Sequence, residues 1–509
     1  MMKKSSSYLI GLLLLFAFIR VPITPAQTPL SPRNANYTIE VRLDPQTKML
    51  EGREIITWRN DRDQPTNELR FHLYYNAWKN TRSMWLRERT LAGQTIRGPQ
   101  RNLREDDWSY VQVNSVKILP QGKFSETDLT ANKKFAAPDD GNPEDQTVMV
   151  VPLPQSIAPD ESIQIELSFT SKIPRTFART GFRGNYFFIA QWFPKLGVYE
   201  NGGQWNCHQF HAGTEFFSDY GVYEVKMTVP SNYVLGATGR LIDKTNNPDG
   251  TTTHRHRQAD VHDFTWTTSP DYLVREKRFE HPGLPPVDMR LLIQPEHINQ
   301  AERHFAATAA ALQYYGTWFG PYPYGHVTVV DPAYDSGAGG MEYPTLFTCG
   351  TRWLNPEGGG SPEGVTVHEC GHQFWYGLVG NNEFEHAWID EGFNTFSTAR
   401  TMEAAFGESS WVRRNGGAKF PVEVLMVFAN GDTARENWDG QERWKLFVYE
   451  KPARLQYAVV DPERKLILDL NYTNNSRMLA PVATLPARKW ASKWMIWLQD
   501  LLATFAFFV

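Results

Sequence analysis

The chain has 509 residues, 41% of them hydrophobic, enough for three domains or so with large cores. Its formal net charge is −4 with acids and bases interspersed, so nothing argues for nucleic-acid binding. Three cysteines, Cys207, Cys349 and Cys370, are too few for a disulfide framework and leave at least one thiol unpaired within the chain.

Residues 1–26 read as an export signal: Lys3 and Lys4, the apolar run Tyr8 to Ile19, then Thr24-Pro25-Ala26 as a small-residue cleavage site before Gln27. An uncleaved membrane anchor is the alternative, with Ile10 to Ile19 short for a span. Either way the remainder is expected outside the cytoplasm, periplasmic or extracellular. A Pro-rich linker, residues 27–35, follows.

From residue 36 to 274 strand signals dominate. Tyr37 to Leu43 alternates apolar and polar residues, as does Gly221 to Val229, and turn formers separate such runs. This predicts a large N-terminal antiparallel β domain. Aromatic residues, 13% of the chain with 17 Trp, suit strands and a peptide-binding cleft, although packing alone explains them too. His254 and His256 read as surface strand residues. Cys207-His208-x-x-His211 suggests a second metal site, but in extended chain the two imidazoles would point to opposite faces, and a place on a cleft rim fits better.

Residues 275–415 turn helical from Asn299, with a helix at Ala301 to Phe319 and a strand at Val327 to Val330. His368-Glu369-Cys370-Gly371-His372 then sets two histidines one helical turn apart, so both imidazoles can meet one metal ion. The predicted helix has Ser361 as N-cap, Pro362 at its first position and Gly380 closing its C-terminus. A catalytic zinc site takes three protein ligands and keeps one position open. Glu391, after eighteen intervening residues, returns a carboxylate on a second helix, roughly Ala387 to Phe406. Glu369 is then the candidate general base that takes a proton from a water attacking a carbonyl, so hydrolysis is the implied chemistry. Cys370 lies about 200° round the helix from both histidines and reads as a buried spectator.

His368-Glu369-x-x-His372, with Glu391 inside Trp388-Ile389-Asp390-Glu391-Gly392-Phe393, resembles the gluzincin zinc aminopeptidases of the aminopeptidase N and leukotriene hydrolase type. Gly339-Gly340-Met341-Glu342-Tyr343 is similar to the family's Gly-x-Met-Glu-Asn segment, with Tyr343 where the family usually has Asn. The resemblance implies an α+β multidomain fold with a thermolysin-like zinc catalytic domain, and one Zn2+ per chain held by His368, His372 and Glu391. It implies an exposed strand, Gly339, Gly340 and Met341, that pairs with substrate backbone. Glu342 would bind the free amino terminus of a peptide substrate, and Gln191 would match the second amine contact. Leu43-Asp44-Pro45 and Leu235-Gly236-Ala237-Thr238-Gly239 resemble the family's amino-terminal domain.

After the Glu391 helix the family continues through more helices, one supplying a Tyr for the oxyanion. Here only Arg413-Arg414-Asn415-Gly416-Gly417 intervenes before a strand at Val422 to Phe428, so part of that helical region is missing. Tyr449-Glu450-Lys451-Pro452-Ala453 looks like the family's Tyr-Glu-Lys-Gly-Ala and follows Glu391 by 58 positions, which implies a catalytic Tyr449. The residues themselves read differently: Trp444 to Tyr449 alternates like a strand, and Pro452 would disrupt a helix. That reading makes Tyr449 part of a small C-terminal β domain, residues 418–477. Losing an oxyanion donor costs about 10² to 10³ in rate.

The end, residues 488–509, is apolar and aromatic but carries Lys493, Gln499 and Asp500, which suits a helix on a membrane surface or docked on protein better than a tail anchor. The sequence thus predicts an exported zinc metallopeptidase, an aminopeptidase by resemblance, with membrane contact through the C-terminal helix as a further expectation. A zinc-holding, catalytically weak peptide-binding or scaffolding protein, and an endopeptidase, are the alternatives.

Overall fold

The computed structural model describes residues 28–91, 107–352, 360–407, 421–439, 445–465, 475–480, 488–495 and 497–498. The export signal expected over residues 1–26 lies outside them. The protein is a multi-sheet α+β chain with two compact units, one of residues 1–355 and 362–398, the other of 356–361 and 399–509.

The largest sheet of the first unit has eight strands, in the order Arg240–Asn246, Thr251–Val261, Gly221–Pro230, Ala35–Asp44, Met49–Arg59, Ser162–Lys172, Tyr110–Leu119 and Thr127–Asp128. Its core face is set by alternation: Tyr37, Ile39, Val41 and Leu43 are each at most 3% exposed, while the residues between them face outward. The sheet is not purely antiparallel, as the sequence suggested. Ala35–Asp44 pairs in parallel with Gly221–Pro230, with Tyr37 opposite Tyr223 and their rings stacked at 4.6 Å.

A second, mixed sheet carries the site. Its order is Leu273–His281, Leu284–Ile293, His326–Val330, Leu346–Cys349, Gly340–Tyr343, with parallel pairs in the middle and antiparallel hairpins at both ends. Leu292, Val330, Met341 and Leu346 belong to the same buried cluster as Tyr37 and Trp58, so one core serves both sheets. This explains why His254 and His256, expected at the surface, are only 6% and 4% exposed. Their strand presents alternate residues inward, and burial pushes the two imidazoles down to about 4 and about 3.

The helix Ala301–Phe319 forms as predicted. It packs on the helix of the His-Glu-x-x-His motif through Arg303 with Glu363 and His304 Nδ1 at 3.0 Å from Thr366 Oγ1. That motif helix is shorter than the sequence suggested. It spans Glu363–Gly371 with Pro362, not Ser361, at the cap, and Gly380 plays no part in closing it. Termination comes at His372, after which the chain runs through turns and Tyr376 takes a positive φ of 86°. The three cysteines are all unpaired and buried, Cys370 included.

In the second unit, Thr433–Trp438, Val422–Phe428, Leu455–Val460 and Ser476–Met478 form a small antiparallel sheet around Val424, Met426 and Phe428. The strand expected over Trp444 to Tyr449 is not formed over its described part, residues 445–449, which is irregular. Residues 488–495 are helical with Trp490 and Trp494 each 63% exposed. Among the described residues no helix is long and apolar enough to cross a membrane.

Candidate metal centre

His368 and His372 leave one face of the motif helix, as their spacing requires, and their Nε2 atoms lie 3.2 Å apart. Glu391 Oε2 stands 3.4 Å from His368 Nε2, and the three ligand atoms lie within 4.8 Å of one another. Two ligands about 2.05 Å from a tetrahedral ion are about 3.3 Å apart, so the 3.2 and 3.4 Å spacings about His368 suit an ion of zinc's size. The second nitrogens fix the rings. His372 Nδ1 is 2.5 Å from Asp390 Oδ1, and His368 Nδ1 has Asn394 Nδ2 and Thr398 Oγ1 each at 3.4 Å. With Nδ1 engaged, the two Nε2 lone pairs face each other, an arrangement that a cation satisfies. The side chains open toward solvent in order, from 1% exposed at His372 through 19% at His368 to 49% at Glu391.

The second helix expected at Ala387 is interrupted at the ligand. A short helix Glu383–His386 leads into a single π-type turn, Trp388–Gly392, before the regular helix Phe393–Phe406. Such turns recur at functional sites because they re-aim successive side chains. Here Asp390 turns inward to His372 while Glu391 reaches His368.

Hydrogen bonding to His368 holds the Glu391 carboxylate down at about 2 against the opposing effect of burial. Burial lowers the tendency of His372 to take a proton, but Glu342, Asp390 and Glu369 together override it and raise His372 well above its ordinary value. The pocket thus favours positive charge at His372. Burial raises Glu369, moderated by His372 and His368, and its Oε2 has no hydrogen-bond partner. A lone, desolvated carboxylate oxygen beside the ligand set suits a general base.

Gly340 and Glu342 lie on the strand Gly340–Tyr343 at the sheet's edge. Its side chains are more buried than the exposed strand expected, with Met341, Glu342 and Tyr343 at 9% or less. With no side chain at Gly340, the Glu369 carboxylate can lie against the strand, since a Cβ there would sit 2.6 Å from Glu369 Oε1. Glu342 Oε2 reaches within 4.0 Å of His372 Nε2. Burial, opposed by His372 and helped by Asp390 and Glu369, raises the Glu342 carboxyl well above the carboxylate range.

The other predicted site residues have partners of their own. Gln191 is buried, donating from Nε2 to Asp263 Oδ2 at 2.6 Å and accepting from Lys195 Nζ at 2.7 Å, so both ends of its amide have partners. Tyr449 lies in the second unit and donates its hydroxyl to Glu436 Oε1 at 2.7 Å. His208 and His211 do not point apart, because their segment is not a strand; both bond Asp139. Three contributors went unread in the sequence. Asp390 had only its adjacency to Glu391 as a signal. Asn394 packs so tightly over Gly371 that a Cβ there would lie 2.1 Å from its Oδ1. Arg179, paired with Glu215 through Nη1 and Nη2 and touching Met341, gave no sequence signal at all.

A helix-borne His-Glu-x-x-His pair with a downstream Glu and an edge strand beside it defines a metallopeptidase-like centre of gluzincin type. Residues 303–439 match the Peptidase family M1 domain. A stretch of 91 residues is 33% identical to Leucine aminopeptidase 2 of Aspergillus niger, covering 18% of this chain and 14% of that protein.

Proposed function

We propose that this chain is an exported zinc-dependent aminopeptidase that removes single residues from the amino terminus of peptides. The observation that carries this reading is the 4.0 Å between Glu342 Oε2 and His372 Nε2. An extended residue spans about 3.3–3.6 Å. A peptide whose ammonium pairs with Glu342 therefore brings its first carbonyl, and not a later one, to the ligand set. An endopeptidase would need this acid out of the cleft.

Zinc, when bound, supplies a Lewis acid that polarises a carbonyl and eases deprotonation of water. The chain does the rest. Glu369 takes the proton of the attacking water and delivers it to the leaving amine. Glu342 fixes the ammonium by a charge-assisted hydrogen bond. The backbone of Gly339, Gly340 and Met341 offers groups that an extended peptide can pair with at a sheet edge. The signal-like pattern of residues 1–26 supports export, and the lysine- and tryptophan-rich helix at 488–495 supports contact with a membrane surface.

One observation favours a second reading, a zinc-holding peptide binder with weak turnover: the Tyr449 hydroxyl is already donated to Glu436. Hydrolysis of a panel of aminoacyl fluorogenic amides by zinc-analysed protein separates the two. Turnover that Glu369→Gln abolishes while one zinc per chain remains supports the enzyme. Bound zinc without turnover on any free-amine substrate leaves the binder. Glu342→Ala should further erase the preference for a free over an acetylated amino terminus.

A further inference from the structure

The short helix Glu383–His386 runs directly into the turn that carries Asp390 and Glu391, and it is gripped on its far side by two histidines. His208 bridges two carboxylates, with Nδ1 at 2.6 Å from Asp139 Oδ1 and Nε2 at 3.1 Å from Glu385 Oε1. His211 shares Asp139 and adds a third carboxylate, with Nδ1 at 2.6 Å from Glu88 Oε1 and Nε2 at 3.3 Å from Asp139 Oδ2. Phe384 sits between them. The His208 ring stacks on it at 4.7 Å with planes 5° apart, and the His211 ring meets it edge-on at 5.5 Å. Every imidazole nitrogen has a carboxylate partner, so none is left to ligate a metal ion, and the cluster reads as a fastening.

The same helix reaches the metal centre from its inner side. Glu383 is 1% exposed, and its carboxyl, raised by burial, feels the charge of Asp390, which in turn holds His372. Asn382 caps the helix by accepting from the Glu385 amide, so movement of Glu385 is movement of the whole turn. Hydrogen bonds to Asp139 and to the glutamates raise both imidazoles above their ordinary value, which favours their charged forms and with them the contacts to carboxylates and to the Phe384 ring.

We propose that His208 and His211 are positioning residues for the metal centre: by clamping Phe384 and Glu385 they fix the helix Glu383–His386, and through it the turn that presents Asp390 to His372 and Glu391 to the metal. This rests on the metallopeptidase reading above and extends it to residues of the β region that touch neither metal nor substrate.

The test uses the full chain and three readouts: hydrogen exchange over residues 383–392, zinc affinity by chelator competition, and the visible spectrum of the cobalt(II)-loaded protein. Glu385 is 43% exposed in its side chain, so Glu385→Ala cuts the link to His208 without threatening the core. Glu385→Ala and His208→Ala should each speed exchange over 383–392 about tenfold, weaken zinc about tenfold and shift the cobalt bands. Glu385→Gln keeps an acceptor for His208 and should stay close to the parent chain in all three. Unchanged exchange, affinity and spectrum in Glu385→Ala would overturn the clamp and leave the metallopeptidase reading untouched. A parent chain that holds no zinc would defeat that reading instead, and exchange alone would still decide the clamp.

Discussion

Asp390 holds the outer nitrogen of His372 at 2.5 Å, and both side chains are almost wholly shut away from water, at 0% and 1% exposure. A buried carboxylate behind a ligand imidazole fixes the tautomer, leaves Nε2 as a lone pair and makes that lone pair more basic.

Removing this support should loosen the metal without touching a ligand. Asp390→Ala is expected to weaken zinc by about 10- to 100-fold, measured by competition with a chromogenic chelator. Asp390→Asn still accepts from Nδ1 but lacks the charge, and should fall between it and the parent chain.

Gly340 offers a steric test of the cleft. A methyl there would meet Glu369 Oε1 at 2.6 Å and Val365 Cγ2 at 3.2 Å, so the carboxylate must swing aside. Gly340→Ala should therefore fold and bind zinc like the parent chain while losing about 10²-fold or more in turnover, the usual scale of a displaced general base.

Acid should destabilise the first unit through its sealed imidazoles. Burial, the largest cause in each case, lowers His72, His256, His262 and His304 to about 3, and His254 and His326 to about 4. A depressed imidazole binds fewer protons folded than unfolded, so stability is full above about 6.5 and falls as pH drops below it. Each fully buried ring contributes about 1.4 kcal/mol for every pH unit of that fall. Thermal unfolding followed from pH 7.5 to 5.5 should show a steep decline in Tm. A flat profile would mean that these rings gain protons without unfolding.

The helix at 488–495 places Trp490 and Trp494 four residues apart, both 63% exposed, beside Lys489 and Lys493. A surface of this kind suits an anionic bilayer. Flotation with phosphatidylserine vesicles should recover the protein, and Trp490→Ser with Trp494→Ser should release it. Neutral phosphatidylcholine vesicles should bind less.

Residues whose geometry is set within one segment were legible in the sequence. His368 and His372 meet because four positions on a helix allow little else, Ala301–Phe319 follows its own periodicity, and Tyr37 to Leu43 alternates as it should. What long-range packing decides was not legible. His254 and His256 looked like surface residues because nothing in a polar strand tells that a second sheet will cover it. His208 and His211 looked divergent because their segment was taken as extended, whereas Asp139 gathers both. The parallel pairing of Ala35–Asp44 with Gly221–Pro230 joins strands far apart in sequence and has no local signal. Asp390 and Glu391 are neighbouring acids of equal standing in the sequence, and only the π-type turn separates their roles.

That turn has a consequence for how the protein can change. Asp390 is fully enclosed while the next side chain, Glu391, is 49% exposed, so one peptide bond separates the interior from the solvent face. Adding or deleting a residue between Ala387 and Gly392 would exchange the two, driving a charge meant for the outside into the core and withdrawing the one His372 depends on. Substitutions here can be graded by chemistry, aspartate to asparagine or glutamate to glutamine. Changes of length cannot, and this segment is fixed in its count of residues more strictly than in their identity.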